Sequence, residues 1–76
     1  MTKKEFYFAL ENMLEMEPET IKGDELLVNL PGWDSVAVLS FIALVDEKLG
    51  ESVSAAALVR AQTVADLIGL FPDKII

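Results

Sequence analysis

The chain has no cysteine among its 76 residues, so neither a disulfide nor a thiolate metal site can hold its fold together. A domain of this size buries only about 60% of the surface that its unfolded chain exposes. Its stability must therefore come from apolar side chains, which make up 53% of the residues. These features predict a single small domain over residues 1–76, with one hydrophobic core.

Composition also limits the possible chemistry. The sequence has no histidine, which removes the commonest general base and the commonest metal ligand. Its formal net charge of −7 disfavours binding to nucleic acids and favours basic protein partners. The same acidity would also keep a small apolar-rich protein soluble, and that simpler explanation stays open. We therefore expect no metal site and no nucleic-acid partner.

The apolar stretches are too short for a membrane protein. The longest one, residues 36–45, holds ten residues and is interrupted by Ser40, whereas a membrane span needs about 20. The N-terminal apolar stretch contains acidic residues, which is not typical of a signal peptide. We expect a cytoplasmic protein without a membrane span.

The first helix is predicted over residues 3–16. Thr2 and Glu5 form a capping-box pattern, and apolar side chains follow at helical spacing. Glu11 falls on the polar side of this helix, and Phe8 points toward the polar side and is expected to be partly exposed.

Residues 17–34 form a predicted long loop, because prolines and glycines interrupt any regular pattern there. Residues 24–28 are expected to form one helical turn within it. The apolar side chains of the loop should hold it against the core: Ile21, Leu26, Leu27 and Leu30.

The second helix is predicted to begin at Asp34 and to end at Gly50, which is placed as a left-handed C-cap. One face should pack into the core through Val38, Phe41, Ile42, Val45 and Leu49. The opposite face is apolar near its start and polar toward its end, and it carries Val36, Leu39, Ser40, Ala43, Asp46 and Glu47.

Two short helices complete the prediction. Ser54 can cap a third helix that ends at Arg60, and Thr63 with Asp66 can cap a fourth. The fourth helix should pack inward and end at Pro72, with Val64, Leu67, Ile68 and Phe71 on its inner face. The predicted fold is all-α, a four-helix bundle with a long loop between helices 1 and 2 and a short helix 3.

The run Gly32-Trp33-Asp34-Ser35-Val36 opens the second helix directly after the long loop. It resembles the Asp-Ser-Leu signature of acyl and peptidyl carrier proteins, with valine in place of the usual leucine. The glycine after the second helix also fits, and residues 63–66 resemble the Thr-Val-Gly-Asp sequence found at the fourth helix of that family. The sequence is identified on these grounds as a member of the acyl carrier protein family.

The resemblance implies that Ser35 carries a covalent 4'-phosphopantetheine arm, which a phosphopantetheinyl transferase moves onto its hydroxyl from coenzyme A. The chain would then be a phosphoprotein and not an enzyme. It would be a monomer that carries acyl chains as thioesters to partner enzymes. These partners would be acyl-loading, acyl-transfer or condensing enzymes of fatty acid biosynthesis, polyketide biosynthesis or another specialised pathway.

Simpler explanations exist for the residues around the implied site. Ser35 also suits the start of a helix, and a helix N-terminus favours a phosphodiester, so both explanations hold together. Asp34 is implied to help the transferase place the serine, and a role as N-cap explains it equally well. Trp33 is expected to cover the core as a loop anchor rather than to recognise a partner.

The second helix departs from the fatty-acid carriers, which typically have acids at the second and fifth positions after the serine. Ala37 and Ser40 stand there in this chain. Three apolar side chains on one exposed face indicate a partner surface instead. The predicted partner interface comprises Asp34, Val36, Leu39, Ser40, Ala43, Asp46 and Glu47, and it suggests a carrier dedicated to a specialised pathway.

Three alternatives stay open from the sequence. They are an aminoacyl or peptidyl carrier with the same arm, an unmodified helical protein-interaction module, and a carboxylate-based enzyme, which the small size disfavours. A sheltered acyl chain and a simple well-packed core are both compatible with the inward-facing residues of helices 2 and 4: Phe41, Ile42, Val45, Leu49, Leu67, Ile68 and Phe71.

Overall fold

The computed structural model describes all residues, 1–76, and its regular elements are helical throughout. The four α-helices are α1 (Lys3–Met13), α2 (Ser35–Leu49), α3 (Ala55–Arg60) and α4 (Val64–Gly69), and a short 3₁₀ helix spans Leu27–Asn29. No helix is long and apolar enough to cross a membrane. The predicted all-α fold, with a long loop after α1 and a short α3, is confirmed.

Helix α1 begins as predicted and ends three residues early. The Thr2 side chain accepts a hydrogen bond from the Glu5 amide at 3.1 Å, and the Glu5 carboxylate accepts one from the Thr2 amide at 2.8 Å. At the other end, Glu15 adopts a left-handed φ of 59°, and the Met16 amide donates back to the Glu11 carbonyl at 2.8 Å. These features form a Schellman C-cap in which glutamate takes the usual place of glycine. The predicted end at residue 16 is therefore wrong.

Helix α2 has the predicted bounds and the predicted inner face. Phe41 and Val45 are fully buried, and Val38, Ile42 and Leu49 are half-buried against the core. Gly50 closes the helix at a φ of 65°, with its amide 3.1 Å from the Asp46 carbonyl. A glycine is favoured here because a left-handed φ is costly for residues with a Cβ atom.

The core draws side chains from all four helices and from the loop. Its buried members are Phe6, Leu10, Ile21, Leu27, Leu30, Phe41, Val45, Leu58, Val64, Leu67, Phe71 and Ile75. Helix α4 ends at Gly69 and not at Pro72, yet Phe71 is only 5% exposed, so it is buried as predicted from a position outside the helix.

The long loop is fastened to the linker between α3 and α4. The Leu27 amide donates to the Gln62 carbonyl at 2.8 Å, and the Val64 amide donates to the Glu25 carbonyl at 3.1 Å. This pairing turns Leu27 inward and Leu26 outward, so that Leu26 is 46% exposed. The expectation that Leu26 belongs to the core is wrong, and the helical turn lies at Leu27–Asn29 rather than at residues 24–28.

Glu11 was expected on the solvent side of α1, and the structure corrects this. Glu11 is only 2% exposed because the loop covers it. One carboxylate oxygen accepts a hydrogen bond from the Glu19 amide at 3.2 Å, and the other accepts one from the Ile21 amide at 2.9 Å. Charge-assisted bonds of this kind offset the cost of burying a carboxylate. Glu11 therefore fastens the start of the loop to α1.

Two further carboxylates hold backbone amides beyond α1. Partial burial of Glu25 acts to raise the pKa of its carboxyl group. Hydrogen bonds from the Lys22 and Gly23 amides, at 2.6 and 2.8 Å, outweigh the burial, so that this pKa is lowered. The pKa of Asp66 is lowered by hydrogen bonds from the backbone amides of Gln62 and Thr63. Acidic side chains thus order both the loop and the start of α4.

These two carboxylates predict a particular loss of stability in acid. Because their pKa values are lower in the folded protein than the ordinary 4.5 of Glu25 and 3.8 of Asp66, their stabilisation is complete above those values. It is lost as the pH falls through the folded-state pKa values. In urea unfolding from about pH 6 to about pH 3, the double variant Glu25→Gln/Asp66→Asn should lose less stability than the unmodified protein.

The control for this experiment is Glu17→Gln/Asp73→Asn, which removes two exposed carboxylates that accept no hydrogen bond in the structure. This control should follow the pH dependence of the unmodified protein. An equal dependence of the free energy of unfolding on pH in all three proteins would contradict the stabilising role of Glu25 and Asp66.

The phenylalanines allow a matched test of the core. Phe41→Ala and Phe71→Ala should each lower the free energy of unfolding by about 3–5 kcal/mol, because each leaves a cavity among buried side chains. Phe8→Ala makes the same chemical change where the side chain is 52% exposed, and it should cost less than about 1 kcal/mol. Urea denaturation of the three variants measures the differences, and equal costs at the three positions would contradict the core described here.

Candidate functional site

The start of α2 is fixed by Asp34. This residue has an extended backbone, with φ −138° and ψ −169°, and its carboxylate accepts a hydrogen bond from the Ala37 amide at 2.9 Å. Asp34 is thus the N-cap of α2, which confirms one of the two roles that the sequence suggested for it. Ser35 is the first residue of the helix and is exposed. The cap is made by the aspartate, so the serine is not needed for it.

A tight turn delivers the chain to this position. The Trp33 amide donates to the Leu30 carbonyl at 3.2 Å, across Pro31 and across Gly32 with its φ of 82°. Proline at the second position and a positive-φ glycine at the third are typical of a type II turn. Since Leu30 is buried, the turn is anchored on the core side and leads outward to Asp34.

Trp33 covers the core beside the site, as predicted. Its ring meets Phe41 of α2 edge-on, with centroids 5.9 Å apart and planes at 72°. The Phe41 ring in turn meets Phe6 of α1 at 5.9 Å and 88°. Such edge contacts add to the stabilisation from burial. The residue just before the N-cap is therefore packed against the centre of the core.

The chemistry available at this helix start suits a phosphate ester. The first amides of an α-helix have no partner within the helix, and the helix dipole places partial positive charge there. Asp34 uses the Ala37 amide and leaves those of Ser35 and Val36 available. An exposed hydroxyl beside such amides can hold a phosphodiester with favourable electrostatics. The residues present thus fit a phosphate-linked group.

The outer face of α2 presents the predicted partner residues together. Val36 is 68% exposed and Leu39 is 66% exposed, and the other members, Ser40, Ala43, Asp46 and Glu47, are exposed as well. Ala37 differs, because it is only 6% exposed and packs toward the interior. The idea that Ala37 replaces a partner-facing acid is therefore wrong for this chain, whereas Ser40 does occupy an exposed position.

An apolar groove beside the site was not foreseen from the sequence. It has a volume of about 430 Å³ and is lined among others by Leu26, Val28, Trp33, Val38, Leu58 and Val59. Val28 and Val59 are 83% and 76% exposed. One signal was present in the sequence, because Leu58 and Val59 are adjacent on a short helix and cannot both face inward. None of the residues considered for sheltering an acyl chain lines this groove.

The chain matches the family model described as "Phosphopantetheine attachment site" over residues 8–71. No curated protein and no solved structure gives a significant match.

The family match covers most of the chain and defines a class of protein, the carriers that hold a prosthetic arm and catalyse no reaction themselves. The chain belongs to the phosphopantetheine-binding carrier protein family. Its cofactor is covalently attached 4'-phosphopantetheine, and it works with a phosphopantetheinyl transferase and with partner enzymes. The family and cofactor predictions are confirmed.

Proposed function

We propose that Ser35 is the attachment residue and that residues 1–76 act as one acyl carrier domain. The observation that supports Ser35 most strongly is its exposed position as the first residue of the 15-residue helix α2. Among the other serines, Ser40 lies inside α2, Ser52 lies in a loop, and Ser54 caps the six-residue α3 by accepting a bond from the Ala57 amide. None of these three offers a hydroxyl at the start of a long helix.

The protein's own residues then position and present the arm. Asp34 holds the helix start in place, and we propose that its exposed carboxylate also guides the transferase to the neighbouring hydroxyl. Trp33 limits motion of the attachment point through its contact with Phe41. The arm supplies a terminal thiol that holds cargo as a thioester. Tethering raises the effective concentration of that cargo at each partner enzyme.

The assignment of Ser35 is tested by modification in vitro. Incubation with coenzyme A and a phosphopantetheinyl transferase should add one arm to the unmodified protein, as measured by intact mass. Ser35→Ala should abolish this gain and keep the helical circular dichroism spectrum, because Asp34 makes the cap. Ser40→Ala, the matched control on the same helix, should gain the arm normally. A gain that survives in Ser35→Ala would overturn the assignment.

We further propose an acyl cargo and a specialised pathway, with the chain acting as a monomer in the cytoplasm. The net charge of −7 opposes self-association, and a chain without cysteine has no need of an oxidising compartment. Pathway choice rests on α2, where Val36, Leu39 and Ala43 form an exposed apolar patch beside Ser35. Such a patch favours binding to a partner enzyme that has a complementary apolar pocket. An aminoacyl or peptidyl cargo is the alternative that the same arm would serve.

Partner choice gives a kinetic prediction. Exposed charges at an interface mainly change the association rate and its salt dependence. Ser40→Glu should therefore raise turnover of the holo protein by a generic fatty-acid ketosynthase, most visibly at low salt. Leu39→Asp should lower turnover by the cognate enzyme. Ala37→Asp is unsuitable for this test because residue 37 is buried and a carboxylate there would destabilise the helix.

The control for these kinetics is Ser52→Glu, which adds the same charge in the loop after α2. It should leave turnover by both enzymes nearly unchanged. The specialised pathway would be contradicted if the holo protein without substitutions served the generic ketosynthase as well as an ordinary fatty-acid carrier does.

A further inference from the structure

The apolar groove beside Ser35 has no charged side chain in its lining. Eight of its nine lining residues are hydrophobic, and the ninth is Gln62. The backbone groups of Gln62 are already paired, because its carbonyl accepts a hydrogen bond from the Leu27 amide and its amide donates to the Asp66 carboxylate. The lining therefore suits a ligand that is itself apolar and uncharged.

The walls and the floor of this groove are held in place by the fold. The loop segment that carries Leu26 and Val28 is fastened to the linker before α4 by two backbone hydrogen bonds. Leu27 and Leu58 form the floor, belong to the core, and are only 2% and 1% exposed. Sites for small molecules are usually preformed in this way, with volumes of about 300–1,000 Å³. The groove, at about 430 Å³, is large enough for such a ligand.

Three apolar side chains of the groove are left in solvent when it is empty. They are Leu26, Val28 and Val59, and they belong to the eight large hydrophobic side chains that the chain exposes. Transfer of apolar surface out of water is favourable in proportion to the area removed. A hydrocarbon chain in the groove would cover these side chains and bury its own surface at the same time.

Ser35 lies next to the groove. Trp33, two residues before it, and Val38, three residues after it, both line the groove. At a rise of 1.5 Å per residue, Val38 is only about 4.5 Å further along the axis of α2. An arm on Ser35 has many rotatable single bonds, so its end can fold back over this short distance. Tethering gives the cargo an effective concentration on the order of millimolar at the groove, so weak binding is sufficient.

We propose that this groove holds the hydrocarbon part of the cargo while the arm is between partner enzymes. The inference rests on the proposed attachment at Ser35, and it names the class of cargo, an uncharged apolar acyl chain. An ammonium group in the groove would lose its hydration without gaining an ionic partner, which disfavours aminoacyl cargo. A hydrocarbon chain is neutral, so the net charge of −7 neither favours nor opposes its binding.

The chain would thus lie outside the helical bundle, over α3 and the loop, and not among fully buried core side chains such as Phe41 and Val45. An apolar side chain of a partner enzyme is another conceivable occupant. The cargo is favoured over it because the cargo is tethered beside the groove, whereas a partner enzyme must first associate.

The test uses the fluorescence of Trp33, which is the only tryptophan of the chain and lines the groove. A phosphopantetheinyl transferase loads the protein from the corresponding acyl-coenzyme A with a butanoyl, hexanoyl, octanoyl or 8-aminooctanoyl arm, and intact mass verifies each product. Acrylamide should quench Trp33 less in the octanoyl form than in the butanoyl form. The ratio of docked to free chain should rise by up to about fourfold for each added methylene. The 8-aminooctanoyl arm, which ends in an ammonium group, should give the same quenching as the butanoyl arm.

Exposed apolar residues supply matched variants. Val59→Ser removes apolar surface from the groove, and Val36→Ser makes the same change at an exposed position outside it. Leu26→Ser and Leu70→Ser form a second such pair, because these leucines are 46% and 39% exposed. Val59→Ser and Leu26→Ser should each lower the protection of Trp33 by the octanoyl arm at least about twofold, since each loses methyl groups that the chain would cover. The two control variants should keep the protection, and circular dichroism checks that all four are folded.

A free ligand separates this inference from the attachment assignment. The neutral thioester S-octanoyl-N-acetylcysteamine should protect Trp33 saturably in Ser35→Ala, and the added substitution Val59→Ser should weaken that protection. Failure of loading would therefore contradict the attachment at Ser35, while the free thioester would still decide whether the groove binds an acyl chain.

Several results would overturn the groove as the site of the cargo. They are no protection of Trp33 by the octanoyl arm, or by the free thioester where loading fails, protection that does not depend on chain length, and equal losses in Val59→Ser and Val36→Ser. Differences between ¹H–¹⁵N spectra of the octanoyl and butanoyl forms should centre on Val28, Leu58 and Val59. Differences centred on Phe41 would place the chain inside the bundle and overturn the proposal as well. Groove variants that change turnover by a partner enzyme without changing Trp33 protection would identify the partner as the occupant instead.

Discussion

The Phe41 side chain is the contact on which the rest of this structure depends. It is fully buried on α2, meets Phe6 of α1 edge-on, and meets Trp33 edge-on just before the helix begins. A single side chain thus joins the two longest helices and also fixes the chain that leads to Ser35. Because protein cores are close-packed, this contact restrains the residue just before the helix cap. The attachment point that we propose at Ser35 therefore lies two residues after a side chain that is packed on the core.

The acidity of the chain has a structural use besides solubility and partner attraction. Glu11 fastens the beginning of the long loop to α1, Glu25 orders its middle, and Asp66 orders the start of α4. The loop lacks regular structure over most of its length, so its amides need acceptors from elsewhere. Carboxylates supply them here. The same loop carries the turn that delivers Asp34, which links the acidic residues to the geometry of the candidate site.

Much of the fold could be predicted because its signals are local. The caps at Thr2, Asp34 and Gly50 were recognisable from sequence, since a cap depends on residues within one turn. What failed depended on tertiary contacts or on an unusual residue. Glu11 lies on the polar side of a helical wheel, but the loop covers it in the structure. Ala37 was expected at the surface, but it is buried against the core. Glu15 ended α1 in a conformation that normally signals glycine.

The candidate site divides in the same way, because Ser35 and its cap follow from a local motif while the groove beside them is formed by segments distant in sequence. We propose that the arm is attached at Ser35, at the start of α2. Comparison of ¹H–¹⁵N spectra of the apo and holo proteins tests this most directly. We expect shift changes confined to residues near the start of α2, with the core signals unchanged. Largest changes around Ser52 or Ser54, or changes spread through the core signals of Phe6 and Phe41, would contradict it.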